Sequence, residues 1–318
     1  MRKDLSIVVI EPIHTDGIEI LENSGKVIQL PPASTWKNLL RVSREADAFI
    51  TRGFVKIPRK VLAAAEKLKV IGVHGVGVDH IDVNFAEERG IQIARTPAAL
   101  TDTVAEFTIG LMLSLLRRIP TADVAVRTGE WNRKYSVLVG ADLMGKTVGI
   151  IGLGRIGSGV ARRLKVFDVN LIYYKRTRNP ELEKQLDIEY VPFDKLLKTS
   201  DIISIHVPLT PETYHMISQK EFELMKPGVC IVNTSRGAVV DEKALSRALK
   251  RNKVAGAALD VFEFEPLNLE SPLIKSNNVI LTPHLAASST EALRRMAITV
   301  AEEVIKILHG KTKDIGPS

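Results

Sequence analysis

The sequence predicts an α/β protein built from two doubly wound parallel sheets, and three observations carry that prediction. Short β-branched runs alternate with amphipathic stretches of helical period along the chain, the pattern of strands joined by crossover helices. One such run opens onto a glycine-rich turn, Thr147-Val-Gly-Ile-Ile-Gly152-Leu-Gly154-Arg-Ile-Gly157, which reads as strand, tight turn and helix. The length of 318 residues, 45% apolar and 25% charged, provides for two cores; this composition excludes disordered, collagen-like and coiled-coil chains.

The first series has strands at Ile7–Ile10, Val27–Leu30, Ala48–Thr51, Val70–Val73 and Ile91–Ala94, with helical stretches between them. The alternation then breaks into one long helix from about Thr101 to Arg118, with Asp102 near its start and Pro120 near its end. Its most apolar part, Phe107 to Leu116, is too short to span a bilayer and runs into Arg117-Arg118. A second series starts at Thr147–Ile151 and continues through Leu171–Tyr174, Ile202–Ile205, Val229–Asn233, Ala255–Leu259 and Val279–Leu281. A long helix from about Thr290 to Leu308 and a short polar tail finish the chain.

Charge and cysteine usage narrow the function classes. Lys and Arg total 44 against 37 Asp and Glu, a formal charge of +7. The cations are interspersed, without a run of five or six, so small anionic ligands are favoured over nucleic acid. The single cysteine, Cys230, allows neither an intrachain disulfide nor a thiolate zinc site and reads as a small buried hydrophobe. Met1-Arg-Lys-Asp4 leads directly into a strand without a signal-peptide pattern. The expectation is a soluble cytoplasmic protein that needs no metal.

In the glycine turn, Gly152 permits the tight bend, Gly154 lets backbone approach a pyrophosphate, and Gly157 lets helix and strand pack closely. The helix beginning at Arg155 offers free N–H groups and a partial positive charge to phosphates. NAD-binding units carry an acid at the tip of the next strand to accept from the adenosine ribose. Here that strand ends in Lys175-Arg176-Thr177-Arg178, three cations and a hydroxyl that suit a 2′-phosphate. NADP is favoured, with NAD tolerated.

Three segments of the second series place polar groups just after strands: Asn233-Thr-Ser-Arg236-Gly237, Leu259-Asp260-Val-Phe-Glu-Phe-Glu265-Pro266 and Leu281-Thr-Pro-His284. Ligands of open α/β sheets collect outside the carboxyl ends of strands. An Arg to pin a carboxylate, a His to exchange a proton and a Glu to hold the His suit a 2-oxo or 2-hydroxy acid.

These motifs, with Gly75-Val-Gly-Val-Asp79-His-Ile-Asp82, Thr96-Pro97, Leu100-Thr-Asp102, His206-Val-Pro-Leu-Thr210 and Arg236-Gly-Ala-Val-Val-Asp241, resemble the D-isomer-specific 2-hydroxyacid dehydrogenases over nearly the whole chain. The resemblance implies a Rossmann-like domain inserted in a flavodoxin-like one. Residues 1–98 would bind substrate, residues 99–287 the dinucleotide, and residues 288–318 would return to the first domain. It also implies a homodimer built on the long helix after Thr101.

By position, the resemblance makes Arg236 the substrate-binding arginine, His284 the acid/base and Glu265 its partner. The amides of Val76 and Gly77 would grip the carboxylate, Arg155 and Ile156 the pyrophosphate, and Thr234 and Asp260 would line the nicotinamide half. Arg52 matches a phosphate-binding arginine of the phosphoglycerate dehydrogenases, whereas their second arginine falls at Val73. The implied reaction is hydride transfer between NADPH and a small 2-oxo acid such as glyoxylate or hydroxypyruvate. The alternatives are an NAD-dependent D-3-phosphoglycerate dehydrogenase and a dinucleotide-sensing interaction protein.

Other residues have plainer readings. Glu263 is the wrong choice for the histidine's partner, because Glu265 precedes Pro266 as in the family. His206 reads as structural or a neighbour of the cofactor, and His14, His215 and His309 as surface residues. His74, directly before the Gly75–Gly77 turn, is either structural or a lining residue of a substrate pocket; Asp79 and Asp82 are placed to fix their glycine turn, and Trp131 to pack structurally.

Overall fold

Parallel pairing governs both sheets of the computed structural model, which describes residues 5–310. The chain divides into two compact units, one from Met1–Leu100 with Ser288–Ser318 and the other from Thr101–Ala287. The first boundary falls at Leu100 rather than residue 98. Residues 1–4 and the polar tail from 311 onward lie outside the described residues.

The first unit holds β1 (Ser6–Val9), β2 (Lys26–Gln29), β3 (Ala48–Thr51), β4 (Val70–Val73) and β5 (Gln92–Arg95), in the order β2-β1-β3-β4-β5. That is the flavodoxin-like order, whose direction of winding reverses beside β1. The helix Thr290–Leu308 closes one face, burying Val300, Ala301, Val304 and Ile307 with Ile7, Val9, Ile50 and Val70. Gly72 in β4 is required by that contact: a Cβ there would lie 2.6 Å from Val304 Cγ2.

The second unit holds β6 (Thr147–Ile151), β7 (Asn170–Tyr174), β8 (Glu189–Tyr190), β9 (Ile202–Ile205), β10 (Val229–Asn233), β11 (Val254–Leu259) and β12 (Val279–Leu281). Their order, β12-β11-β10-β9-β6-β7-β8, is that of a Rossmann sheet with one further strand. Winding reverses between β6 and β9, so the glycine turn after β6 opens at the crevice where ligands of such sheets bind. Burial pushes the Cys230 thiol in β10 up to about 11, which keeps it protonated.

Two helix expectations change. The long helix runs Pro97–Leu116, beginning with a proline whose fixed φ suits a first helical position. Arg118 in the left-handed region ends it, and Pro120 lies in the first turn of a separate helix, Ile119–Arg127. At 20 residues, with mean hydropathy 1.4 over its most apolar 18, the first helix is long and apolar enough to cross a membrane, contrary to the shorter stretch read from sequence. In this fold Ala105, Ile109, Leu111 and Met112 enter the core of the second unit instead. Trp131 does not pack inside: it is 61% exposed, with the Lys134 ammonium 5.3 Å from its ring.

Candidate active site

The glycine turn shows three different demands on glycine. Gly152 has φ +95°, and a Cβ would meet the His206 carbonyl at 2.5 Å; a Cβ on Gly157 would meet the Gly152 carbonyl at 2.1 Å. Nothing lies within 4 Å of a Cβ built on Gly154. Gly154 is also the N-cap of Arg155–Leu164, and no side chain caps that helix. An open approach to uncapped amides and a positive helix end fits a pyrophosphate.

His206 supports this turn from β9. Its N–H donates to Ile151 O (2.7 Å), its Nε2 lies 2.8 Å from Ser204 Oγ, and burial pulls its pKa down to about 4. It is a neutral brace. At the tip of β7, Lys175 is half-buried and Arg176 and Thr177 are exposed. Arg178 is occupied differently: its Nε and Nη2 donate to Glu183 at 2.8 and 2.7 Å. The bidentate pair reduces the expected three cations to Lys175 and Arg176.

Arg236 follows β10 on a turn organised by Asn233, which is 1% exposed. The Asn233 Nδ2 donates to Arg236 O (2.9 Å), while its Oδ1 accepts from Ser235 N and Oγ. Arg236 Nη1 donates to Ser235 O (2.7 Å). Next to this turn the buried Thr234 hydroxyl meets Thr108 Oγ1 at 2.9 Å.

His284 Nδ1 lies 2.8 Å from Glu265 Oε2, and Glu265 Oε1 accepts from Phe262 N at 3.1 Å. Burial would raise the Glu265 carboxyl, but the bond and charge of His284, the Phe262 amide and the Arg236 cation hold it below its ordinary value. With Nδ1 committed to Glu265, His284 retains Nε2 for proton exchange. Glu263 turns elsewhere, its Oε1 accepting from Glu242 N at 2.9 Å and lying 3.2 Å from His215 Nε2. His215 is half-exposed rather than free on the surface: its ring stacks on the exposed Tyr214, and its Nε2 is buried.

Beneath this pair Asp260 is fully buried. Its carboxylate accepts from Thr282 Oγ1 (2.6 Å), Leu285 N (2.8 Å) and Ala286 N (2.8 Å), and its carbonyl accepts from His284 N (2.9 Å). Burial pushes the Asp260 carboxyl up against those bonds. The geometry makes Asp260 a strut under the His284 loop rather than an open ligand contact. It also offsets strain, since His284 has φ +53°, a conformation costing a non-glycine residue about 1–3 kcal/mol.

In the first unit, Gly75 bends the chain after β4 with φ +154°, its N–H donating to Val73 O and its carbonyl accepting from Thr96 N. Val76 is exposed and Gly77 half-exposed on this turn. Asp82 caps Val83–Glu88 by accepting from Phe85 N at 3.1 Å. Arg52 Nη1 donates to Pro12 O at 3.2 Å. Its loop is held by Glu11, an acid that sequence reasoning passed over: the buried carboxylate accepts from Arg52 N (2.9 Å), Phe54 N (3.0 Å) and Val55 N (2.8 Å). Val73, where a second cation would fall, is buried in the core.

His74 is 4% exposed, and its Nε2 donates to Leu293 O at 3.1 Å. Burial lowers its pKa from 6.5 to about 4. Because the folded value lies below the unfolded one, the unfolded chain binds the extra proton between those limits, and stability falls as pH falls through that window. The full loss from this group is on the order of 3 kcal/mol. His74→Gln, which keeps a donor for Leu293, is expected to flatten the pH dependence of Tm between pH 6.5 and 4. An unchanged slope would remove His74 from the account.

Comparison with known proteins identifies the family. Residues 109–286 match the family model of the D-isomer specific 2-hydroxyacid dehydrogenase, NAD binding domain. The chain is 48% identical to a glyoxylate reductase of Thermofilum pendens over 96% of its own length and 92% of the relative. It is 45% identical to a D-3-phosphoglycerate dehydrogenase of Methanocaldococcus jannaschii, covering 96% of this chain but 58% of that longer protein. Among solved structures, an NADPH-dependent glyoxylate/hydroxypyruvate reductase from Sinorhizobium meliloti, in complex with NADP and malonate, superposes with a TM-score of 0.86 at 33% identity, covering 95% of this chain and 93% of that one. With its two parallel sheets, glycine turn and Arg, Glu and His after successive strands, the chain belongs to the D-isomer specific 2-hydroxyacid dehydrogenase family and is a nicotinamide-dependent oxidoreductase.

Proposed function

We propose that the protein reduces small unphosphorylated 2-oxo acids, glyoxylate or hydroxypyruvate foremost, with NADPH as the preferred cofactor. The observation that carries the reading is the His284–Glu265 pair with the Arg236 charge acting on it. A bound nicotinamide supplies the hydride. In the second unit Arg236 binds the substrate carboxylate through its planar fork; in the first, the amides of Val76 and Gly77 are the expected carboxylate donors. As negative charge grows on the carbonyl oxygen, His284 donates its proton there, and Glu265 stabilises the imidazolium that gives it.

Residues 101–287 serve as the dinucleotide-binding unit. Arg155 and Ile156 with the Gly152–Gly157 turn hold the pyrophosphate, Lys175, Arg176 and Thr177 hold the 2′-phosphate, and Thr234 supports the nicotinamide half. The first unit binds substrate. Val73 in place of a second cation, and Arg52 drawn onto Pro12 O, favour unphosphorylated acids over 3-phosphoglycerate. Ile119, Val124, Val126 and Trp131 are exposed apolar side chains soon after the long helix, and apolar surface of that kind supports a homodimer. The lone thiol without a disulfide partner supports a cytoplasmic setting.

The test is NADPH and NADH oxidation, followed by absorbance, against glyoxylate, hydroxypyruvate and phosphohydroxypyruvate. The expected result is higher kcat/KM with NADPH and the unphosphorylated acids. Substituting both Lys175 and Arg176 with alanine should raise the NADPH KM by about 10-fold or more and leave the NADH value nearly unchanged, since charge-assisted bonds contribute about 1.5–3 kcal/mol. Preference for NADH with phosphohydroxypyruvate would overturn both assignments.

A further inference from the structure

We propose that Glu242 and Glu263 form a positioning clamp that sets Arg236 against the Glu265–His284 pair; the inference deepens the reading of that site given above. Two segments carry those groups: residues 236–242 after β10 and residues 262–265 after β11. Their strands stay bonded as far as Asp260 N to Asn233 O, at 3.0 Å. Past that point the parallel ladder ends, and separate contacts must keep the segments together.

Glu242 and Glu263 make those contacts reciprocally. The Glu242 N–H donates to Glu263 Oε1 at 2.9 Å, and the Glu263 N–H donates to Glu242 Oε1 at 2.7 Å. Each side chain thus satisfies the main chain of the other segment. Between them the backbones touch at Gly237, where a Cβ would fall 1.8 Å from the Phe262 carbonyl carbon and 2.4 Å from Glu263 N. No other residue type fits there without separating the segments.

A third segment closes the arrangement. His215 N donates to Ala238 O at 2.8 Å, while its buried Nε2 lies 3.2 Å from Glu263 Oε1 without making a hydrogen bond. Asp241 N donates to Ile217 O at 2.9 Å, and Ser218 Oγ donates to Asp241 Oδ2 at 2.9 Å. Arg236 lies one residue before the Gly237 contact, and Glu265 lies two residues after Glu263. Loosening the clamp therefore moves the carboxylate-binding cation relative to the proton donor, while the glycine turn after β6 and its helix keep their own contacts. The bonds, rather than the charge of Glu263, carry this role, because both are made to neutral amides.

Glu263→Ala and Glu263→Gln test the idea in the full-length protein. Glu263→Ala is expected to lower kcat for hydroxypyruvate by about 10²-fold, the effect of roughly 1 Å of misplacement at a reacting centre, with the NADPH dissociation constant unchanged. Glu263→Gln keeps an acceptor for the Glu242 amide and is expected to restore most of kcat. Hydrogen exchange supplies a readout independent of turnover: the amides of Glu242 and Glu263 should lose protection in Glu263→Ala and keep it in Glu263→Gln. Equal losses in both variants would overturn the proposal, as would unchanged amide protection in Glu263→Ala. If the wild type turns over none of the acids, the functional reading fails separately, and exchange alone decides the clamp.

Discussion

Replacing His284 with glutamine is expected to lower kcat for glyoxylate and hydroxypyruvate by about 10²–10⁴-fold, the usual contribution of a positioned general acid. The NADPH dissociation constant should stay within about twofold, because the proton donor contributes in the transition state rather than to cofactor binding. Glutamine can donate a hydrogen bond but cannot transfer a proton at neutral pH. The same logic grades Glu265. With Nδ1 of His284 bonded to its carboxylate at 2.8 Å, Glu265→Gln removes the charge that stabilises the imidazolium but leaves an acceptor in place. Its kcat should therefore fall less than that of His284→Gln. Stopped-flow absorbance at saturating NADPH measures both variants directly. Wild-type rates in His284→Gln would assign the proton to another group.

The second large effect is at Arg236. Arg236→Gln is expected to lower kcat/KM by about 10²–10³-fold, consistent with losing one partner of a desolvated charge pair at roughly 2–5 kcal/mol. Much of the loss should appear in KM, because the carboxylate is bound in the ground state as well as in the transition state. Arg236→Lys should recover only part of it, since an ammonium cannot present two parallel N–H bonds to a carboxylate. The turn that aims Arg236 depends on Asn233, whose side chain bonds both ends of it. Inhibition by a non-reacting dicarboxylate separates the cases: Arg236→Gln should lose inhibition along with KM, whereas His284→Gln should retain it. Retained inhibition in Arg236→Gln would place the carboxylate elsewhere.

Much of the fold could be read from runs of β-branched residues. Ala48–Thr51, Val70–Val73, Thr147–Ile151, Ile202–Ile205, Val229–Asn233 and Val279–Leu281 have the same limits in sequence pattern and structure. Buried parallel strands require continuous apolar runs, so their signal is strong. The edge strand Glu189–Tyr190 has two residues and a polar face, and it left no such signal. The end of the long helix near Arg118 was legible, but its start at Pro97 and the separate helix Ile119–Arg127 were not, because Pro120 serves equally to end one helix or begin the next. Trp131 misled because large aromatics are usually buried; in this chain it is exposed.

At the site, residue types and their places after strands pointed to the segments of Arg236, Glu265 and His284, and the family resemblance chose Glu265 over Glu263. What sequence could not supply was the supporting layer. Asp260 reads like a ligand-facing acid, yet its carboxylate is taken by Thr282, Leu285 and Ala286. Arg178 reads like its neighbours Lys175 and Arg176 until Glu183 is seen to hold it. Glu11 and Glu263 bond to the amides of distant segments, 41 and 21 residues away, and no local pattern announces such partners. Hydrogen bonds across large sequence separations depend on the tertiary fold, so they become visible only once strands are placed.

The most direct measurement is the product formed when the wild-type protein consumes NADPH in the presence of hydroxypyruvate, resolved by chiral chromatography and counted against the cofactor oxidised. The account predicts one D-glycerate for each NADPH. Formation of L-glycerate, or cofactor binding without any hydroxy acid product, would contradict it.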